Sequence, residues 1–176
     1  AIVKKAAAKR LGQAYGCETL PETGDRYQIQ FALIKDTAAV YLDTSGDGLY
    51  KRGYRAQSNE APIKETLAAS LCQLSRLRPD GHLIDPFCGS GTLLVEGALL
   101  ALRIAPGLQR TFTAQTWTNV PKALWQQERD RARSLERRDG GFSAQGFDID
   151  PAAVELTLEN ARTVSYTHLR AHETGR

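Results

Sequence analysis

The stretch LIDPFCGSGTLLVEGA, Leu83 to Ala98, constrains the chain more than any other feature. An apolar strand ends in Asp85, the chain turns through Gly89, Ser90 and Gly91, and an apolar helix follows with few breakers. Glycines remove side chains, so amides at the start of that helix can face a bound molecule. Open α/β sheets place their ligands there, at the carboxyl end of a parallel strand.

The flanking sequence agrees with that reading. Upstream, Ile63, Leu67, Leu71 and Leu74 recur at helical spacing, with Pro62 suited to a first helical position and Pro79, Asp80 and Gly81 as the stop. Downstream, Pro121 to about Arg138 reads as a charged helix, Phe142 to Asp148 as a strand, and Ala152 to Arg162 as a helix opened by Asp150 and Pro151. Alternation of strand and helix predicts a parallel sheet with crossover helices. The front differs: Ile2 to Tyr15 reads as a helix with a solvated basic face. Tyr27, Ile29, Phe31 and Leu33 alternate with polar residues as in a half-buried strand, which pairs with Ala38 to Asp43 as a hairpin.

Three ligand classes use a glycine turn of this kind. A phosphate-binding P-loop needs Lys and then Ser or Thr after its second glycine, but Thr92, Leu93 and Leu94 follow Gly91. The dinucleotide fingerprint needs a third glycine at the position of Leu94, and Gly97 is out of register. A nucleoside without a pyrophosphate remains, held in part by an acidic residue at the end of the next strand. GFDIDP, Gly146 to Pro151, supplies that residue as Asp148.

Composition narrows the setting. Of 176 residues, 41% are hydrophobic and 24% charged, which suits one globular domain and excludes disorder throughout. Lys plus Arg number 23 against 20 Asp plus Glu, a net +3 that permits a nucleic-acid partner without arguing for one. No run approaches the roughly 18 to 20 apolar residues of a membrane span, and no leader is evident, so a cytoplasmic setting without a membrane partner is expected. Cys17, Cys72 and Cys88 lack the close pairing of a zinc site or disulfide scaffold, so no metal is expected and the thiols are read as reduced.

LPETGDRYQIQ, YLDTSGDGLYKRGYR, EAPIKETLAASL, LIDPFCGSGT, APGL and GFDIDP together resemble the class I S-adenosylmethionine-dependent methyltransferases. Within them, the chain is similar to the bacterial RNA methyltransferases that carry a THUMP RNA-binding domain and act on the exocyclic amine of guanine in 23S rRNA. The resemblance runs from about Ala1 to Arg162. It implies an α/β fold: the first half of a Rossmann-like methyltransferase sheet, preceded by a small helix and a β-hairpin extension.

It also implies site residues and partners. Asp85, Pro86, Phe87, Cys88, Gly89, Ser90, Gly91 and Thr92 would line the methionine part of the cofactor, S-adenosyl-L-methionine. Asp148 would bond its ribose, Ile149 would lie against adenine, and Pro62 and Thr66 would belong to the preceding cofactor-contacting segment. RNA would be the partner, bound in the course of rRNA processing. About sixty residues separate Gly89 from Asp148, where a minimal unit has roughly twenty; the family's insertion is assigned to 104–141. By the same resemblance, 1–56 is a connector after a THUMP-type domain, 57–162 the N-terminal half of the methyltransferase domain, and 163–176 a tail of vector or adapter character.

Competing readings stand beside these. Cys88 as a nucleophile is rejected in favour of a buried apolar thiol, because no histidine lies near it and the Pro-Cys pair of sulfur-attacking enzymes is interrupted by Phe87. Tyr50, Lys51, Arg52, Tyr54 and Arg55 suit either RNA contact or a hairpin edge. The mixed-sign 121–138 helix reads as a solvated face, and Trp117 and Trp125 as packing residues. The family's later Asn/Asp-Pro-Pro-aromatic segment, which would accept hydrogen bonds from the target amine, is absent, since none of the seven prolines adjoins another. The chain by itself is therefore expected to bind cofactor weakly and not to turn over. The rivals are a DNA amine methyltransferase and a non-catalytic RNA-binding module.

Overall fold

A computed structural model describes residues 2–20, 22–55 and 62–174. The order is α1 (Ile2–Tyr15), β1 (Gln28–Ile34), β2 (Thr37–Asp43), α2 (Glu65–Leu74), β3 (His82–Asp85), α3 (Thr92–Ala101), a 3-10 turn (Thr113–Thr116), α4 (Lys122–Ser134), β4 (Ser143–Asp148), α5 (Pro151–Thr163) and β5 (Leu169–Glu173).

The α/β class holds. β3, β4 and β5 form a parallel sheet in that order, with His82 opposite Ser143, Asp85 opposite Gly146, and Asp148 opposite Glu173. Helix α3 packs on β3 and β4, α5 packs on β4 and β5, and the two helices touch, so both cover one face of the sheet. Right-handed crossovers between successive neighbouring strands produce that arrangement. The core sits between them: Leu94, Val95, Ala98 and Phe142 are almost fully enclosed, with Ala144, Ala161, Tyr166 and Leu169. The Tyr166 hydroxyl donates to the Phe142 carbonyl at 3.1 Å, and burial raises its pKa to about 12.

Two expectations need amending, and part of the 163–176 segment takes on a structure the sequence did not suggest. Pro62 is not the first helical residue: Lys64 is still extended (ψ 137°), and α2 begins at Glu65. The Tyr27–Leu33 strand is not half-buried. Hairpin β1–β2 pairs as expected, Ile34 with Thr37 across Lys35 and Asp36, yet Ile29, Phe31, Leu33 and Val40 all stay exposed. A two-stranded ribbon has no second layer to cover it. Residues 169–173, read as part of a foreign tail, form the third strand of the sheet, with the buried Tyr166 and Leu169 anchoring it. Their short apolar positions gave no periodic signal. Among the described residues no helix is long and apolar enough to cross a membrane.

Candidate functional site

The glycine turn is built by three glycines that each meet a different steric demand. Gly89 (φ 52°) and Gly91 (φ 73°) take left-handed backbone, which costs other residues roughly 1–2 kcal/mol. At Gly91 a Cβ would also lie 2.6 Å from Thr157 Cγ2. On the adjacent strand, a Cβ at Gly146 would meet Leu94 Cδ1 at 2.7 Å and Cys88 Sγ at 2.9 Å. The turn therefore settles onto β4 only because Gly146 is bare there.

Backbone and carboxylate contacts then fix its path. Cys88 N donates to Phe147 O at 2.8 Å, and Gly91 N to Cys88 O at 2.7 Å. Asp85, half-buried at the end of β3, accepts from Phe87 N at 3.0 Å. Asp148, at the end of β4, accepts from Gly89 N at 2.8 Å through Oδ2 and from Asp150 N at 3.0 Å through Oδ1. The two corners of the sheet rim singled out in the sequence are thus in direct contact. A carboxylate offers about four acceptor sites, so Asp148 keeps capacity for hydroxyl donors.

The remaining candidates fall into place around this contact. Pro86 is exposed, as are Phe87 at 87% and Ile149 at 62%, two large apolar surfaces on the open side of the turn. Ser90 and Thr92 are buried and their hydroxyls lie 3.2 Å apart. Cys88 is buried, and that burial pushes its thiol pKa up, the opposite of what a nucleophile needs. Thr66 is exposed on the first turn of α2 and Pro62 is half-buried before it. Their connection to the turn is indirect: Arg55 bridges the Glu65 carboxylate at 3.4 Å and the Thr92 hydroxyl.

Two functional positions escaped sequence reasoning. On α5, Thr157, fully enclosed, donates to Gly89 O at 2.8 Å, and Asn160, 2% exposed, donates to Ser90 O at 2.9 Å. They draw the Gly89 and Ser90 carbonyls toward α5 and hold the turn from behind. The signal that could have found them is a Thr and an Asn, three apart, on the helix face that also carries Ala153 and Ala161.

The basic cluster divides. Tyr54 is 2% exposed, and its hydroxyl donates to Glu96 Oε1 at 3.1 Å. Arg52 pairs with the same carboxylate at 3.4 Å. Burial raises the Glu96 pKa against the pull of Arg52, and burial also raises that of Tyr54. These residues fasten the 49–55 segment to α3, whereas Tyr50 and Lys51 remain on the surface. Trp117 packs on Tyr27 (4.7 Å between ring centroids) and Trp125 stacks on Phe112 (5.8 Å), so both serve packing. Among the described residues no group of three or more His, Cys, Asp or Glu could hold a metal ion.

Comparison with known proteins places this geometry. "Putative RNA methyltransferase YpsC" of Bacillus subtilis (strain 168) is 43% identical over 162 residues, 91% of this chain and 42% of YpsC. The crystal structure of a predicted N6-adenine-specific DNA methylase from Listeria monocytogenes str. 4b F2365 superposes with a TM-score of 0.92 at 39% identity, covering 98% of this chain and 46% of that one. SMU.472, "a putative methyltransferase complexed with SAH", superposes with a TM-score of 0.88 at 39% identity over 98% of this chain and 46% of its own. The chain thus spans less than half the length of these relatives. The family model for the RMKL-like methyltransferase domain (UPF0020) matches residues 52–174, from the Arg52 anchor through β5, and the chain belongs to that family.

Proposed function

We propose that this chain is the cofactor-binding part of an S-adenosylmethionine-dependent methyltransferase that acts on RNA, with N2 of a guanine in 23S rRNA as the target. The observation that carries the reading is the 2.8 Å contact between Gly89 N and Asp148 Oδ2, which brings a bare backbone turn and an acidic strand end to one place. The residues fit a nucleoside. Spare acceptor capacity on Asp148 suits a ribose diol, Ile149 beside it offers an apolar face to a base, and the left-handed glycines let a ligand approach the main chain. The turn from Asp85 to Thr92 would hold the amino-acid part, with Pro62 and Thr66 at its outer margin.

S-adenosylmethionine supplies a methyl group already made electrophilic by a cationic sulfur. The protein's contribution is positioning: Thr157 and Asn160 fix the turn's carbonyls, Asp148 sets the rotation of the nucleoside, and the enclosed apolar body behind the turn keeps both in register. The name of YpsC and the surface pair Tyr50 and Lys51 favour RNA. The segments 1–56 and 104–141 would serve as connector and family-specific insertion.

Calorimetric titration with S-adenosylhomocysteine tests the cofactor site. Asp148→Ala should weaken binding about 10- to 100-fold, the scale of hydrogen bonds to a charged group; unchanged affinity would refute the ribose contact. The Listeria relative's name supports a second reading, an amine of DNA. Methylation of RNA and DNA by the full-length parent, side by side, separates the two.

A further inference from the structure

We propose that the cleft walled by residues 45–53, Pro62–Glu65 and the 109–116 loop is the path along which a single-stranded stretch of RNA carries its target nucleotide toward the glycine turn. This rests on the methyltransferase reading above and adds the surface that holds the substrate. The cleft has a volume of about 1420 Å³, above the roughly 300–1,000 Å³ of small-molecule pockets, which suits a polymer segment. It shares no residue with the 85–91 turn, so it is a separate place in the fold.

Charge and shape agree. Arg26, Lys51, Arg52, Arg55, Lys64 and Arg110 line it, against Asp47 and Glu65 as the acids. Three of the cations are occupied in building the walls. Arg52 and Arg55 pair with Glu96 and Glu65, while the buried Arg110 donates to the carbonyls of Ser45, Asp47, Gly48 and Lys51, clamping the 45–51 loop to its own. Gly53 and Gly46 let the walls approach closely, with Gln109 O and Thr113 Oγ1 where their Cβ atoms would stand. The cleft is therefore preformed.

Its other cations face outward. Arg26 and Lys64 have no carboxylate within salt-bridge distance among the described residues, and Lys51 holds only the exposed Asp47. Lys64 Nζ stands 5.6 Å from the centroid of the Tyr50 ring, itself 38% exposed. An incoming base takes the place of the Lys64 ammonium over that ring, and the displaced ammonium and the exposed Arg26 guanidinium meet phosphates, which together is the combination of base stacking and phosphate neutralisation that holds unpaired nucleic acid. The chemistry requires an unpaired target, because an exocyclic amine within a duplex cannot reach a methyl donor. The cleft also adjoins the site, since Arg55 touches Glu65 in the cleft wall and Thr92 at the end of the turn.

The test is fluorescence anisotropy of this chain with a labelled twelve-nucleotide single-stranded RNA of mixed sequence, over a salt series. Tyr50→Ala should weaken binding by about tenfold, with Tyr50→Phe retaining it. Arg26→Glu with Lys64→Glu should lower the slope of log affinity against log salt by about 1 to 2. Arg131→Glu with Arg133→Glu on α4 should change neither. The proposal is overturned if the wild type does not bind, if the cleft variants bind as it does, or if the α4 variant loses as much. Circular dichroism of each variant removes misfolded samples, and Arg26→Glu with Lys64→Glu carries the test if Tyr50→Ala is among them. Titration of the same samples with S-adenosylhomocysteine keeps the two readings apart. Retained RNA loss in the cleft variants without nucleoside binding would refute the methyltransferase reading and leave the cleft, and the converse would refute the cleft alone.

Discussion

The hairpin and the sheet body invert each other's chemistry. Hairpin β1–β2 leaves Ile29, Phe31, Leu33 and Val40 in solvent at 58%, 59%, 71% and 72% exposure, whereas the body encloses the charged Glu96 at 2%. The side chains do not decide this; the layers do. A lone ribbon has nothing to lay its apolar face against, while a parallel sheet under crossover helices buries whatever its inner face carries, provided polar groups are paired. Glu96 is tolerated because Arg52 and Tyr54 meet it there.

The largest test of that contrast is Glu96→Ala, which strands Arg52 and the Tyr54 hydroxyl without their acceptor. It should cost about 3–5 kcal/mol in urea unfolding; a loss under 1 kcal/mol would mean the charge is solvated after all. Gly146→Ala comes next, expected to cost roughly 1–3 kcal/mol through overpacking against Leu94 and Cys88, and to weaken nucleoside binding by displacing the turn. Acid and base separate the regions further. Glu96 holds its proton more tightly folded than unfolded, so its stability contribution is full below its ordinary pKa of 4.5 and is lost as pH rises through the elevated folded value. The stability of the wild type relative to Glu96→Gln should therefore fall across that window, and a constant difference would refute the shift. Thiol reactivity offers a kinetic version. Burial raises Cys72 to about 11 and Cys88 in the same direction, so iodoacetamide at pH 8 should modify Cys17 first. At the small end, Leu33→Ser or Val40→Thr in the ribbon should shift stability by no more than about 0.5 kcal/mol.

What could be read in the chain before folding follows the same division. The glycine turn and Asp148 were legible because their chemistry is local: left-handed backbone that glycine adopts without a steric cost, and a strand end followed by the Asp150–Pro151 helix start. Thr157, Asn160 and Glu96 were not, since a polar residue on a helix reads as solvent-facing until its partner, dozens of residues away, is known. Within KRGYR the alternation of cations and tyrosines suggested one surface, and the fold sends Arg52, Tyr54 and Arg55 inward against α2 and α3. The hairpin's pairing was visible in its period of two; its lack of a covering layer was not, because periodicity reports which residues share a face and is silent on what lies opposite.

The bond from the Gly89 amide to the Asp148 carboxylate has a kinetic corollary. A visitor whose hydroxyls use the carboxylate's spare acceptor sites joins a bond already made instead of organising a slack loop, so the rim keeps its shape between occupants. Recognition of this kind discriminates by hydroxyl count: a deoxynucleoside, with no vicinal pair to donate, should leave quickly.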